Sequence, residues 1–373
     1  MWCSLLAVIA VLAGGVQLLF LGVGVRALRK VFCGNKSVDT PPVSVVICAR
    51  NEAHNLRERL PCILEQQYPH FEVVVIDDGS GDETIAILEG LQKRFSNLFF
   101  RKIQAEEKPF RGKKGALQTG VADAKHDLLL FTDADCLPAS PFWIRGMVSA
   151  MRPETEIVVG YGPYEKASGF LNAFIRAETL WSFLQVKAAY SFGLVYMAVG
   201  RNLCVRKKTF VRATQHPLWQ KTLSGDDDML MRICATRSNT AVVDAAETFM
   251  YSPAKHDWKS YRRQKQRHLS TGKYYRLSAK LFLTTLSATH TLAWMLLPGA
   301  LLCLAGNCVW AALIALAALV FRIAVFARFF RKQAPLHGET FAKNFPVQFD
   351  VAFALYPLYF APYIFWKNKD QWT

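Results

Sequence analysis

The chain has 373 residues, of which 52% are hydrophobic, and it carries a formal net charge of +16 at pH 7. Its mean hydropathy of +0.14 is too high for an ordinary soluble protein and predicts membrane-spanning segments attached to a folded domain. A basic chain suits nucleic acid, anionic lipid or phosphorylated small molecules. There is no zinc-finger spacing and no Arg/Lys-rich tail, so we expect no nucleic-acid partner.

The first apolar segment covers residues 2–25, which contain no charged residue and are followed by Arg26, Arg29 and Lys30. A signal peptide would place its positive charge before a shorter apolar run. A spanning helix needs about 20 apolar residues, and this segment provides them. We therefore predict an N-terminal transmembrane helix within residues 1–30.

Residues 36–280 form a predicted cytoplasmic domain in which strands and helices alternate. β-branched runs predict strands at residues 43–48 and 73–76, and apolar runs predict strands at residues 98–103 and 128–132. Helices are predicted at residues 55–67, from about 83 to 94, and after the loop at 111–115. This alternation predicts an α/β domain with a mostly parallel sheet and helices on both faces. Ligands of such sheets bind at the carboxyl ends of the strands.

Two carboxylates, Asp133 and Asp135, follow the apolar run at residues 128–131 and precede Pro138. Side chains two apart on an extended chain point the same way, so both acids can face one point beyond the strand. Their repulsion favours a cation between them, and Mg²⁺ and Mn²⁺ prefer carboxylate oxygens. The alternative, which an isolated pair of this kind would favour, is a loop with two solvated acids.

Two turns at other element ends also carry candidate residues. Asp77 and Asp78 follow the second strand and can accept hydrogen bonds from a ribose hydroxyl or a base N–H, or else form a turn and helix N-cap. Lys113 and Lys114 open a helix in the sequence RGKKG, where glycines allow close backbone approach and lysines supply charge to a diphosphate. The alternative for the lysines is a solvated basic loop.

An acidic run and a basic helix complete the candidates. Three acids occupy residues 226–228 ahead of an apparent helix, and complementation of the helix dipole accounts for one acid more readily than three. Gln264, Arg267 and His268 are spaced three and four apart, so they share one helical face. The alternative is a positively charged flank at the membrane surface, which explains most of the basic residues in this stretch. It does not explain why Gln264 and His268 share a helical face with Arg267.

Residues 281–373 form a predicted transmembrane region of two to three helices. Residues 281–320 lack charge and, at about 1.5 Å per residue, are too long for one crossing, so we place a break near residues 306–307. Residues 349–365 contain Asp350 and two prolines, which leaves either a broken span or an interfacial helix. Basic flanks place residues 36–280 in the cytoplasm of a multi-pass protein. The nine scattered cysteines agree with reduced thiols there.

Six short segments follow one another as SVVICARNE, VVVIDDGSGDET, RGKKGAL, FTDADC, SGDDDML and QKQRH. Their order resembles the family 2 glycosyltransferases, inverting enzymes with the GT-A fold of nucleotide-diphospho-sugar transferases. The resemblance covers about residues 42–272. It implies transfer from a nucleotide-diphosphate sugar, with UDP-sugars favoured, to a sugar, lipid-linked or glycan acceptor in polysaccharide or glycolipid synthesis beside membrane lipid.

The resemblance also implies how the donor is held. In the family, an acid matching Asp77 or Asp78 binds the nucleotide. The D-x-D motif, which matches Asp133 and Asp135, holds a divalent metal on the diphosphate of the donor. The implied cofactor is therefore Mg²⁺ or Mn²⁺, and Asp133 is also an implied contact to the nucleotide sugar.

The catalytic base of the family is the acid of an ED pair, which matches Asp226. Gly225 stands where the first acid of that pair is common, so Asp227 is a rival for the base. A carboxylate is needed opposite the leaving group because the acceptor hydroxyl must lose a proton.

The family's Q-x-x-R-W motif matches Gln264, Arg267 and His268. With Lys113 or Lys114, Arg267 would neutralise the departing diphosphate. His268 stands where Trp is usual, and that Trp helps to hold the growing polymer in processive synthases.

Two other functions stay open. One is a processive polysaccharide synthase, which an intact Q-x-x-R-W motif and more spans would favour. The other is a non-catalytic membrane protein that uses the fold as a nucleotide-sugar sensor or scaffold. Loss of an acid from the D-x-D motif or the base would favour it, and all of these acids are present.

Overall fold

The computed structural model describes residues 8, 12–22, 40–222, 225–306, 308–360 and 362. The predicted N-terminal span lies largely outside this part of the chain. Within it, residues 12–22 form the short apolar helix α1 (Leu12–Gly22). This helix is shorter than the roughly 20 residues that a crossing needs, so the N-terminal span stays a prediction.

The strands are rich in β-branched and apolar residues, which pack well on a buried pleated surface. In the described part of the chain they are β1 (Val43–Ala49), β2 (Phe71–Asp77), β3 (Leu98–Lys102), β4 (Leu128–Asp133), β5 (Leu137–Pro138), β6 (Ile157–Val159), β7 (Leu203–Arg206), β8 (Thr240–Val242) and β9 (Met250–Tyr251). Seven form one sheet in the order β3-β2-β1-β4-β7-β6-β8, and β5 pairs with β9. β1 is parallel to β2 and β4, whereas β7 is antiparallel to β4 and β6. The predicted mostly parallel sheet is confirmed, with β7 as the exception.

Helices pack on both faces of the sheet, as predicted. Those of the domain are α2 (Ala53–Leu64), α3 (Thr84–Gln92), α4 (Lys113–Asp123), α5 (Trp143–Val148), α6 (Phe170–Ser191), α7 (Lys207–Thr214), α8 (Asp226–Cys234) and α9 (Trp258–Leu269). Side chains along β1 point alternately to the two faces of the sheet. Val46 packs in the core between the sheet and helices α4 and α6, whereas Val45 and Ile47 pack in the core between the sheet and helices α2, α3 and α5. The predicted helices at residues 55–67 and 83–94 correspond to α2 and α3 with shifted ends.

Three long helices follow the domain: α10 (Leu277–Ala305), α11 (Val309–Leu336) and α12 (Phe345–Phe360). The predicted break near residues 306–307 therefore separates α10 from α11. Both helices are long and apolar enough to cross a membrane, and only 33% and 28% of their most apolar windows are buried. α12, which includes part of the ambiguous segment 349–365, is shorter than a crossing needs. Candidate spans in the described residues thus lie in the C-terminal part, not at both ends.

A buried polar cluster joins the three C-terminal helices. Arg322 of α11 forms an ion pair with Asp350 of α12. His290 of α10 contacts the Arg322 guanidinium at 3.0 Å, and Trp294 Nε1 donates to Asp350 Oδ2 at 3.1 Å. Because burying one of these charges alone is costly, the pair ties α12 to the hairpin of α10 and α11.

Replacing Arg322 by Leu should destabilise the protein by about 3–5 kcal/mol, because Asp350 would be left as an unpaired buried charge. The double variant with Arg322→Leu and Asp350→Leu should recover much of this loss. Thermal unfolding in detergent measures both. Arg328→Leu, at an exposed position of the same helix, is the control. Equal stability of the single and double variants would show that the ion pair does not join these helices.

Candidate active site

The carboxyl ends of β1, β2 and β4 meet at one edge of the sheet. In the strand register, Ala49 of β1 lies beside Asp77 of β2, and Cys48 lies beside Asp133 of β4. The two acids therefore flank the end of β1. This is the edge at which ligands of open α/β sheets bind.

Asp77 and Asp78 are both buried, but their carboxylates have different surroundings. Asp77 Oδ2 accepts a hydrogen bond from the backbone N–H of Ser80 at 3.2 Å, which closes the predicted turn. Its Oδ1 has no partner among the described residues. Asp78 forms an ion pair with Lys108. Asp77 thus closes a turn and keeps one buried oxygen without a partner among the described residues.

Asp133 and Asp135 converge as the sequence predicts. One carboxylate oxygen of each acid and the thiol of Cys136 lie within 4.8 Å of one another. Burial and the charge of Asp133 raise the pKa of Asp135. Burial also opposes ionisation of Asp133, but its ion pair with Lys113 outweighs this effect and lowers the pKa of Asp133. Two carboxylates this close repel each other, and a hard divalent cation between them would relieve that repulsion.

Lys113 reaches this site because of the glycines around it. Gly112 has a φ of +70°, and α4 begins at the next residue. A Cβ on Gly115 would lie 1.8 Å from the carbonyl oxygen of Phe110, so only glycine lets the loop fold so closely onto the helix. Burial opposes the charge of Lys113, but Asp133 and Asp226 outweigh it and raise the pKa of the ammonium group.

Lys114 points elsewhere. Its ammonium group donates to the carbonyl oxygens of Trp219 and Thr222 at 2.9 and 2.8 Å and to the Thr222 hydroxyl at 2.8 Å. Burial lowers the pKa of Lys114 to about 8. Of the two predicted lysines, the structure brings Lys113 to the acids, whereas Lys114 anchors the segment before α8.

The three acids at the start of α8 have three different environments. Asp227 accepts hydrogen bonds from the backbone N–H groups of Gly200 and Asp228, each at 2.9 Å. Burial and the charge of Asp226 raise the pKa of Asp227 to about 6. The Asp227 carboxylate therefore ties the start of α8 to the segment before β7.

Asp228 is buried and accepts hydrogen bonds from the hydroxyls of Thr271 and Tyr275. Gly225, where an acid was expected by family resemblance, has a φ of +76°. A Cβ there would lie 2.3 Å from Thr271 Cγ2. Close packing against Thr271 therefore accounts for the glycine at this position.

The carboxylate of Asp226, alone among the three, has no hydrogen bond to a described residue. Its side chain is half-buried and lines a cavity of about 280 Å³. Lys113, Asp133 and Asp227 line the same cavity. The structure thus brings a free carboxylate, a cation and an acid of the metal-type pair around one space.

Another cation at the site, Arg201, was not among the sequence candidates. It lines the cavity, and its charge acts on both Asp133 and Asp135. The guanidinium donates to the carbonyl oxygen of Gly162 and lies 4.5 Å from the centre of the Tyr164 ring. Its Nε has no hydrogen-bond partner in the described residues. Arg201 is therefore positioned as a further cation beside the paired acids.

The basic helix α9 supplies another wall. Arg267 and His268 line the cavity, and Gln264 Nε2 donates to the hydroxyl of Tyr164 at 3.2 Å. Local burial and the neighbouring charges of Lys265 and Arg267 lower the pKa of His268, although the residue reaches the protein surface. Arg267 is the permanent cation that these three candidates offer.

Two family models match the chain: "Glycosyl transferase family 2" over residues 44–208, and "Glycosyl transferase family group 2" over residues 128–330. The second match covers more than half of the chain and includes Asp133, Asp135 and the acids of α8. The chain belongs to glycosyltransferase family 2. The resemblance of the six motifs to this family is thereby confirmed.

The family 2 chain also resembles individual proteins. It is 30% identical over 169 residues to Glycosyltransferase AglE of Haloferax volcanii, covering 45% of this chain and 53% of that protein. It is 25% identical over 244 residues to Probable glycosyltransferase YdaM of Bacillus subtilis, covering 63% and 56%. It thus spans about half the length of these curated relatives.

A solved structure shares the fold over nearly the whole length. Mannosyltransferase PcManGT from Pyrobaculum calidifontis, in complex with GDP-Man and Mn²⁺, aligns with a TM-score of 0.59 and 20% identity. The alignment covers 96% of this chain and 99% of that one. The predicted GT-A fold of this family 2 member is confirmed.

Proposed function

We propose that this chain is a membrane-anchored, metal-dependent glycosyltransferase that moves a sugar from a nucleotide-diphosphate sugar to an acceptor hydroxyl with inversion. One observation carries the proposal: the uncommitted carboxylate of Asp226 lines the same cavity as Lys113 and Asp133. A base, a cation and a metal-type carboxylate around one space are what this displacement requires.

In this proposal Asp226 is the catalytic base. The acceptor hydroxyl gives its proton to the Asp226 carboxylate, and its oxygen forms a bond to the anomeric carbon of the donor sugar. The bond from that carbon to the diphosphate breaks, and the electron pair leaves with the nucleoside diphosphate. A single displacement of this kind inverts the anomeric configuration.

The donor diphosphate would be held by the cations around the paired acids. Lys113, Arg201 and Arg267 would offset its charge through hydrogen bonds and proximity. A divalent cation, when bound by Asp133 and Asp135, would supply further stabilisation of the leaving diphosphate. In the structure Lys113 forms an ion pair with Asp133, and in this proposal its ammonium group would also contact the donor diphosphate.

The nucleotide would extend from this point toward the end of β2. Asp77 at that strand end would accept a hydrogen bond from the ribose or base through its second carboxylate oxygen, which is buried and has no partner among the described residues. Asp78 is neutralised by Lys108, so we assign it a positioning role.

The test of this function is a screen of purified protein with Mn²⁺ against UDP- and GDP-sugars, reading release of free nucleoside diphosphate. GDP-sugars belong in the panel because the mannosyltransferase structure holds GDP-Man. We expect release from one donor to exceed release from the others. No release from any donor, with a lipid extract or glycans present as acceptor, would contradict the proposal.

We further propose that α10 and α11 cross the membrane as a hairpin, with residues 36–280 in the cytoplasm and an N-terminal span within residues 1–30 making the protein multi-pass. Large apolar side chains on the hairpin support this, since Leu302 is 70% exposed and Trp310 81% exposed. The basic residues Arg276 and Arg328 lie toward the domain end of the hairpin, in agreement with the positive-inside rule.

Thiol labelling tests this topology in a cysteine-free background. Gly81→Cys places a thiol in an exposed turn with open space around the new Cβ, and Gly306→Cys places one between α10 and α11. A membrane-impermeant reagent applied to intact cells should label position 306 and miss position 81. Labelling of position 81 without permeabilisation would reverse the orientation.

A further inference from the structure

The cavity that contains Asp226 continues to one face of α6. Glu178, Thr179 and Ser182 of that helix line it. Residues four apart lie on the same side of a helix, so Glu178 and Ser182 form a single polar patch. This patch lies outside the group of acids and cations that we assign to the donor.

Glu178 is buried, with 5% of its surface exposed, and its Oε2 lies 2.5 Å from the ammonium group of Lys265 on α9. The hydroxyl of Ser182 donates to Glu178 Oε1 at 3.2 Å. A carboxylate offers about four acceptor positions and an ammonium group three donors. Both charged groups therefore keep hydrogen-bonding capacity after these contacts are made.

The rest of this end of the cavity is mostly apolar. Phe183 and Val186 of α6 line it, together with Met197 and the ring of Tyr161. In such pockets a few polar groups fix the orientation and identity of the ligand. A buried ion pair contributes little net stability compared with apolar packing, so the energetics of folding do not by themselves account for Glu178 and Lys265.

The charges differ between the two ends of the cavity. Near Asp226, the cations Lys113, Arg201 and Arg267 suit the diphosphate. At α6, the carboxylate and the ammonium group cancel, so this end offers no net positive charge to a phosphate. A ligand with neighbouring hydroxyl groups would instead donate to Glu178 and accept from Lys265.

We propose that Glu178, Lys265 and Ser182 form an acceptor subsite that recognises the hydroxyl groups of a neutral sugar. This inference rests on the proposed glycosyltransferase function and names the acceptor class. The whole cavity, including the end assigned to the donor, measures about 280 Å³, so only the end of an acceptor would enter it at α6. The three residues bind and orient the acceptor, while Asp226 takes its proton.

The experiment compares two kinds of probe with the donor that the screen identifies: neutral octyl hexosides and decyl phosphate. Glu178→Gln and Ser182→Ala are the test variants. Ser191→Ala is the control, because this exposed serine lies on the same helix and its hydroxyl donates to the carbonyl oxygen of Lys187. Steady-state kinetics give the KM for acceptor and for donor separately.

We expect transfer to an octyl hexoside, with a KM that rises about 10- to 100-fold in Glu178→Gln, the scale of one lost hydrogen bond to a charged group. The rise in Ser182→Ala should be smaller, and Ser191→Ala should match the wild type. The KM for the donor should stay within about twofold in the two test variants. The retained donor KM would show that Glu178→Gln folds.

Three results would overturn the inference. The first is an unchanged acceptor KM in both test variants. The second is transfer to decyl phosphate with none to any hexoside, and the third is donor hydrolysis without transfer to a hexoside. Absence of nucleoside diphosphate release by the wild type is a separate result, which would remove the proposed function and this inference with it. If Glu178→Gln does not fold, the acceptor KM of Ser182→Ala alone decides whether the inference holds.

Discussion

Asp226→Asn should lower the turnover number by roughly 10²–10⁴, the usual scale for loss of a general base. The affinity for the nucleotide sugar should change little, because Lys113 and the acids of β4 are untouched. The reason lies in the environment of the carboxylate, which lines the cavity and has no hydrogen bond to a described residue. Calorimetry of donor binding beside turnover measurements separates the two quantities.

The neighbouring acids provide the comparison. Asp228→Asn should chiefly lower stability, by about 1–3 kcal/mol, because a buried carboxylate that accepts from Thr271 and Tyr275 is replaced. Asp227→Asn should loosen the contact to Gly200 and have an intermediate effect. Normal turnover in Asp226→Asn with an inactive Asp227→Asn variant would make Asp227 the base. Normal turnover in all three variants would remove the catalytic role from this acidic run.

Asp135→Asn should abolish most of the activity and most of the Mn²⁺ affinity while the fold stays intact. Asp133 and Asp135 would share one cation, and loss of one carboxylate removes half of the charge that holds it. EDTA should inhibit the wild type, and added Mn²⁺ or Mg²⁺ should restore it. Metal affinity is measured directly by calorimetry, independently of turnover.

The control for the metal experiment is Asp127→Asn. Asp127 is exposed and precedes the other end of β4, so its replacement changes the net charge equally without touching the site. Full activity of the wild type in EDTA, or unchanged Mn²⁺ affinity in Asp135→Asn, would refute the metal assignment.

The sequence was informative where local chemistry decides the structure. The apolar run before Asp133 predicts a buried strand, and the strand register then places that acid beside the end of β1. The glycines of RGKKG likewise predict a close loop, and Gly115 is required by the approach of Phe110. These features depend on residues near one another in the chain, so they could be predicted without the fold.

Features that depend on long-range packing could not be predicted in this way. Lys113 and Lys114 are adjacent and differ by about 100° around the helix, so only the packing of Trp219 and Thr222 decides which one faces the acids. Arg201 was missed because it precedes β7. That strand is antiparallel to β4, so its beginning, not its end, lies at the edge that holds the site.

The proposed acceptor subsite depends still more on tertiary structure. Glu178 lies in a long aromatic helix, and its partner Lys265 is 87 positions away on α9. The basic residues around Lys265 were already explained as a positively charged flank at the membrane surface. No local pattern joins the two residues. Only the packing of α6 against α9 reveals that they form one polar patch in the cavity.

The central claim is that one free carboxylate, Asp226, assists a single displacement at the anomeric carbon. The anomeric configuration of the product, determined by NMR for the donor that the screen identifies, tests this claim most directly. The account predicts that the transferred sugar has the configuration opposite to that of the donor. A product that retains the donor configuration would contradict it.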